Sequence, residues 1–196
     1  MRNRRAPCPS GCYDPARSRY FLIYGTFART RVFIDRGAVA LVSTQFLRAA
    51  GEERCEILTY CFMPDHVHLL VEAMDDGSDG SGFIARSKQY AGFSYKARTG
   101  HRLWQRDSFE RVLRDNEGSL AVSRYILANP VRAGLVTQPF DYPYSGSFAW
   151  DRQALLDGRT LEPVHTANRS HDPTGPTGPP STSPTAATYP RTHHSD

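Results

Sequence analysis

Apolar residues alternate with histidine through Met63-Pro64-Asp65-His66-Val67-His68-Leu69-Leu70-Val71, at the spacing of a β-strand. Successive strand side chains face opposite ways, so His66 and His68 share one face while Val67, Leu69 and Val71 point into a core. Tyr20 to Phe27, rich in aromatic and β-branched residues, predicts a central strand. From Arg36 to Ala50 the period lengthens, and Val39, Val42, Phe46 and Leu47 form a helical stripe. Cys55 to Phe62 returns to strand composition until Pro64 breaks it, and Met63-Pro64-Asp65 closes a hairpin onto the strand from His66 to Glu72. Phe83 to Arg98 reads as a helix ended by Gly100, and Phe109 to Arg114 as a short strand. A last helix starts near Asn116 or Ser119 and stops by Asn129, because residue 130 is proline. The order β-α-β-β-α-β-α is the split βαβ pattern: an α+β, ferredoxin-like antiparallel sheet with one added C-terminal helix, which carries Tyr125.

A chain of 196 residues accommodates one domain with a substantial core. Residues 1–17, with Pro7, Pro9, Gly11 and Pro15, read as a flexible arm, and 18–150 as the folded domain. Residues 151–196 read as a short helix followed by a Pro/Thr/Ser-rich tail that has too little apolar surface to order itself. No apolar run approaches the roughly 20 residues needed to cross a bilayer. The basic start Met1-Arg2-Asn3-Arg4-Arg5 is not followed by the apolar centre of a signal peptide, so the expectation is a cytoplasmic protein with no membrane partner. Cys55 and Cys61 fit one face of a strand as small core residues, and Cys8 and Cys12 lack a second pair for zinc. Asp75 to Gly82 is a loop whose glycine at 77 and arginine at 86 break the pattern of a calcium loop.

Charge adds a direction. The chain carries a net +4, but between Phe83 and Arg132 ten cations stand against four acids, a balance of +6. A basic surface favours a phosphate-bearing partner, while a solvated helix face is the plainer account of the same residues.

Two imidazoles side by side on a rigid strand are half a metal site. Tyr125 and Asn129, four apart on a helix, share a face. With the Asn129 carboxamide as an oxygen ligand, His66 and His68 would suit Mg²⁺ or Mn²⁺, which polarises a phosphodiester. A phenol ionises near pH 10 in its free form and needs such an activated electrophile to act as a nucleophile. Singly, a His-x-His pair or a helical tyrosine is more often structural, and the combination is what points to chemistry.

That combination resembles a known family. The His66-Val67-His68 strand, Gly100 with Leu103-Trp104-Gln105, and Tyr125-Ile126 followed by Asn129-Pro130-Val131-Arg132-Ala133-Gly134 are similar to the REP-associated tyrosine transposases of the HUH superfamily, relatives of the short insertion-sequence transposases. The resemblance spans roughly Tyr20 to Ser147. It implies a metal-dependent endonuclease and strand-transferase acting on single-stranded or hairpin DNA through a 5′-phosphotyrosine. It also implies that His66 and His68 are the metal pair, Tyr125 the nucleophile and Asn129 the third ligand, in a monomer or homodimer. Tyr144-Ser145-Gly146-Ser147 follows the family's last aromatic-Ser-Ser segment only loosely.

Around this centre the candidate DNA contacts are Arg86, Lys88, Trp104, Arg106, Arg111, Arg114 and Arg132. Trp104 either stacks on a base or anchors its segment in the core. Asp65 either orients an imidazole or serves as a turn residue. Tyr90 and Tyr95 are rival nucleophiles, weakened because Ser94 and Thr99 follow them where a carboxamide is wanted. Two readings compete with the transposase: a non-catalytic protein that holds structured nucleic acid, and a phosphodiesterase using water.

Overall fold

The computed structural model describes residues 18–113 and 118–158, all within the compact unit Met1–His165. The proposed arm, Arg114, Asn116 and the Pro/Thr tail lie outside the described residues.

Five strands form one antiparallel sheet: β1 (Arg19–Thr26), β2 (Cys55–Met63), β3 (His66–Ala73), β4 (Trp104–Val112) and β5 (Ser145–Ser147), in the order β4-β1-β3-β2-β5. The helices are α1 (Arg36–Glu52), α2 (Gly80–Thr99), α3 (Ser119–Arg132) and α4 (Arg152–Leu156). The first four strands and α1 to α3 reproduce the expected ferredoxin-like order. β5 is an addition at the β2 edge, in a segment too short and too rich in Ser and Gly to show an alternation.

Capping explains the helix limits. Asp35 accepts from the amides of Gly37 and Ala38 at the start of α1, and Asp79 accepts from Gly82 at the start of α2. Gly100, at φ 76°, ends α2 in the left-handed conformation that glycine adopts without strain.

The sheet is covered on both faces. On one, α1 and α2 bury Val42, Phe46, Phe83 and Ala91 against Tyr20, Tyr24, Val67, Leu69 and Val71. On the other, Ile126 and Leu127 of α3 pack with Phe21, Leu58, Cys61, Met63 and Leu70, and this core continues through Trp150 and Leu155. Leu47, read as part of the α1 stripe, is instead 51% exposed; Ala49 and Ala50 take the buried positions, since small residues let α1 lie close.

Three expectations change. Cys55 and Cys61 are both buried core thiols but lie in opposite cores, because a register shift between Ile57 and Thr59 inserts an extra residue and inverts the alternation. β4 begins at Trp104 instead of Phe109, and its first half pairs with the end of β1. α3 runs through Pro130 to Arg132 instead of stopping at Asn129. A proline at position 130 cannot supply the amide that the Ile126 carbonyl would accept. The Asn129 side chain supplies it, with Nδ2 donating to the carbonyls of Ile126 at 3.3 Å and Tyr125 at 3.0 Å.

The seating of α2 is tight. A Cβ at Gly80 would overlap the ring of Tyr20, which is 2% exposed. Gly80→Ala is therefore expected to destabilise the fold by about 1–3 kcal/mol, the cost of overpacking. Chemical denaturation measures it, and an unchanged midpoint would contradict this packing. Among the described residues no helix is long and apolar enough to cross a membrane.

Candidate active site

The β2–β3 hairpin is closed by Pro64 and Asp65, and its turn is pinned from outside. The Thr26 amide and hydroxyl both donate to the Asp65 carbonyl at 2.9 Å, and the Phe33 amide donates to the Pro64 carbonyl at 3.0 Å. This holds His66 and His68 on the α3 side of β3, opposite Gly25 and Ile23 of β1.

The two imidazoles converge, with Nε2 to Nε2 at 3.0 Å and rings inclined at 75°. Asp65 Oδ1 lies 2.6 Å from His66 Nδ1 and accepts its proton, leaving a lone pair on His66 Nε2. Arg29 approaches the other Asp65 oxygen at 3.4 Å. Asp65 is thus a turn residue and an imidazole partner at once. His68 is 4% exposed, and burial, with His66 beside it, holds its pKa down to about 3. Its imidazole is neutral at any ordinary pH. Its Nδ1 is buried with no hydrogen-bond partner among the described residues.

The pair suits a divalent ion. Two donors at right angles about an ion at about 2.1 Å stand about 3.0 Å apart, the separation seen here. Among the described residues no third His, Cys, Asp or Glu joins them, so further ligands must come from an amide, water or substrate oxygen. Asn129 is the amide that the sequence reading puts forward. With Nδ2 committed to the backbone of α3, its Oδ1 is left as the donor atom.

Tyr125 reaches this centre within one chain. A hydrogen bond of 2.8 Å from the Thr59 hydroxyl to Ser123 Oγ ties α3 to β2. Two residues on, the Tyr125 ring stands edge-on to His68, with centroids 6.3 Å apart, and to Phe21, at 6.0 Å. Phe21 in turn stacks on His68 at 6.0 Å and 7°. Tyr125 remains 40% exposed, and the Arg132 guanidinium lies 5.1 Å from its ring centre.

The other sequence candidates separate. Arg111 is the register partner of Phe21 on β4 and so lies on the same face as the histidines, and Arg106 is exposed on the same strand. Arg86 and Lys88 sit on α2, across the sheet. Arg86 pairs with Glu52 at 3.2 Å and Glu53 at 2.5 Å. Lys88 donates to the Arg106 carbonyl and the Ser108 hydroxyl, both at 3.3 Å. The rival Tyr90 is also there, donating to Glu52 at 2.7 Å; Tyr90, Arg48 and Arg86 together pull that carboxylate down to about 2. Tyr95 packs against the α1–α2 core. Trp104, named as a DNA contact, is 6% exposed among Tyr24, Phe33 and Phe46, so its ring is closed to a base and the anchoring account holds. Arg114 lies outside the described residues.

Phe109 was missed. It is 40% exposed, and its ring meets Phe21 edge-on at 6.0 Å. The available signal was its position two residues before Arg111 in an alternating stretch.

Residues 16–129 match the family model described as Transposase IS200 like. This chain belongs to that family. It is 32% identical over 126 residues, 56% of this chain and 70% of the other, to a protein of Haemophilus influenzae described as a REP-associated tyrosine transposase. Its fold is similar to the solved structure of a REP-associated tyrosine transposase bound to a REP hairpin, with a TM-score of 0.58, 19% identity, and coverage of 71% of this chain and 82% of that one.

Proposed function

We propose that this transposase is a metal-dependent single-stranded DNA endonuclease and strand-transferase that cuts hairpin or repeat DNA through a 5′-phosphotyrosine. The observation that carries the reading is the packing of Tyr125 against His68 in one chain, where the His66 and His68 nitrogens already stand at ligand spacing. The hairpin bound by the solved relative supports the choice of substrate.

His66, His68 and the Asn129 oxygen would hold Mg²⁺ or Mn²⁺, which when bound polarises the scissile phosphate and offsets charge developing on its oxygens. Asp65 keeps the His66 lone pair pointed at the site. The Tyr125 oxygen attacks phosphorus, its proton passes to water, and the bond to the 3′ oxygen breaks, leaving a free 3′-hydroxyl and a 5′-phosphotyrosine. Arg132, beside the ring, is positioned to receive the phosphate anion. Attack of a second 3′-hydroxyl on the phosphotyrosine reverses the step and joins two strands without an external energy source.

The test is incubation of the full chain with a hairpin oligonucleotide carrying a single-stranded extension, in Mn²⁺. The expected result is a covalent DNA–protein adduct that maps to the Tyr125 peptide. Cleavage without an adduct would instead indicate water as nucleophile, and tight binding without cleavage a holding role.

A further inference from the structure

We infer that the exposed β4 side of the α3 face is a stacking track for the single-stranded segment next to the scissile phosphate, with Phe109 as the aromatic on which a base lies. The inference rests on the DNA-cleaving reading above and adds where the strand runs. Among the described residues α3 packs chiefly on β2 and β3 and closes over Phe21 of β1, which leaves the outer strand β4 exposed on that face. Phe109 presents a 40% exposed ring there, directly across from Ile23, the neighbour of His68 in the next strand.

The rings are continuous with the reacting centre. Phe109 meets Phe21 at 6.0 Å, and Phe21 meets both Tyr125 and His68 at 6.0 Å. Phe109 is therefore separated from the phenol by one ring, that of Phe21. Arg111, two residues along the same strand and on the same face, supplies positive charge beside the track. An exposed aromatic with a nearby cation is the sequence-tolerant way in which proteins hold single strands, each stacked base contributing about 1–3 kcal/mol to binding. On the opposite face of β4, Trp104 is closed within the core, so Phe109 is the aromatic of this strand that a base can reach.

The test measures binding of a hairpin oligonucleotide whose single-stranded extension carries 2-aminopurine, or an abasic site, at each position in turn. In the wild type, one position should show stacked, quenched 2-aminopurine. Phe109→Ala should lose about 5-fold to 100-fold in affinity and release the quench. Phe109→Leu should lose as much while keeping the contact with Phe21, and Phe109→Trp should restore binding. The penalty should vanish when that nucleotide is abasic. Equal affinity of wild type, Ala and Leu variants for the intact strand overturns the track. So does a penalty that persists on abasic DNA, which would reflect damage to the fold. Failure of the wild type to form an adduct, with the Phe109 dependence intact, would reject the cleavage chemistry and not the track.

Discussion

Tyr125→Phe is expected to abolish the DNA–protein adduct and to lower strand cleavage by at least about 10³-fold, while leaving hairpin binding within a factor of about two. The variant removes one oxygen and little else. The ring's contacts with Phe21 and His68 and its place beside Arg132 survive in phenylalanine. No described hydrogen bond holds the hydroxyl, and the residue is 40% exposed, so stability should stay within about 0.5 kcal/mol. A parallel assay of binding, thermal unfolding and covalent capture separates the possibilities. Unchanged cleavage would remove Tyr125 from the chemistry and point to water.

His66→Ala carries the second large effect. An ion at this site would contribute several kcal/mol to the transition state, and each 1.36 kcal/mol is tenfold in rate. Loss of the ligand should therefore lower cleavage by about 10² to 10⁴. The wild type should gain thermal stability on adding Mn²⁺, and the variant should not, because only a folded site binds the ion. His66 is better suited to this experiment than His68. The latter is stacked on Phe21 and almost wholly buried, so His68→Ala also opens a cavity. Asp65→Asn keeps the ligands but weakens the acceptor at His66 Nδ1, and should cost about tenfold. An Mn²⁺ response retained in His66→Ala would exclude the histidine pair as the metal site.

Much of this was legible from the chain. Local period marks out the strands around Val67 and Leu22 and the helix around Val42, because burial on one side imposes a repeat that no tertiary knowledge is needed to see. The same repeat puts His66 and His68 together, and the four-residue step puts Tyr125 over Asn129. Pro130 misled as a stop. Its missing amide is replaced by a side chain next door, and a helix-breaking rule does not count side-chain donors.

What sequence alone determined, then, is the order of the first four strands and α1 to α3, and the shared face of His66 and His68. Which face of the sheet each element covers was decided only by the tertiary structure. One inserted residue near Leu58 sends Cys55 and Cys61 to opposite cores. Trp104 and Phe109 stand an odd number of residues apart on β4 and so take opposite faces, but only the assembled sheet shows that the first face is core and the second surface. The +6 cluster also divides, with Arg86 and Lys88 on the α2 side and Arg111 and Arg132 on the side of Tyr125. Periodicity resolves the two sides of one strand. It carries no phase from one strand to the next, so only the assembled sheet determines which cations and rings stand beside the histidines.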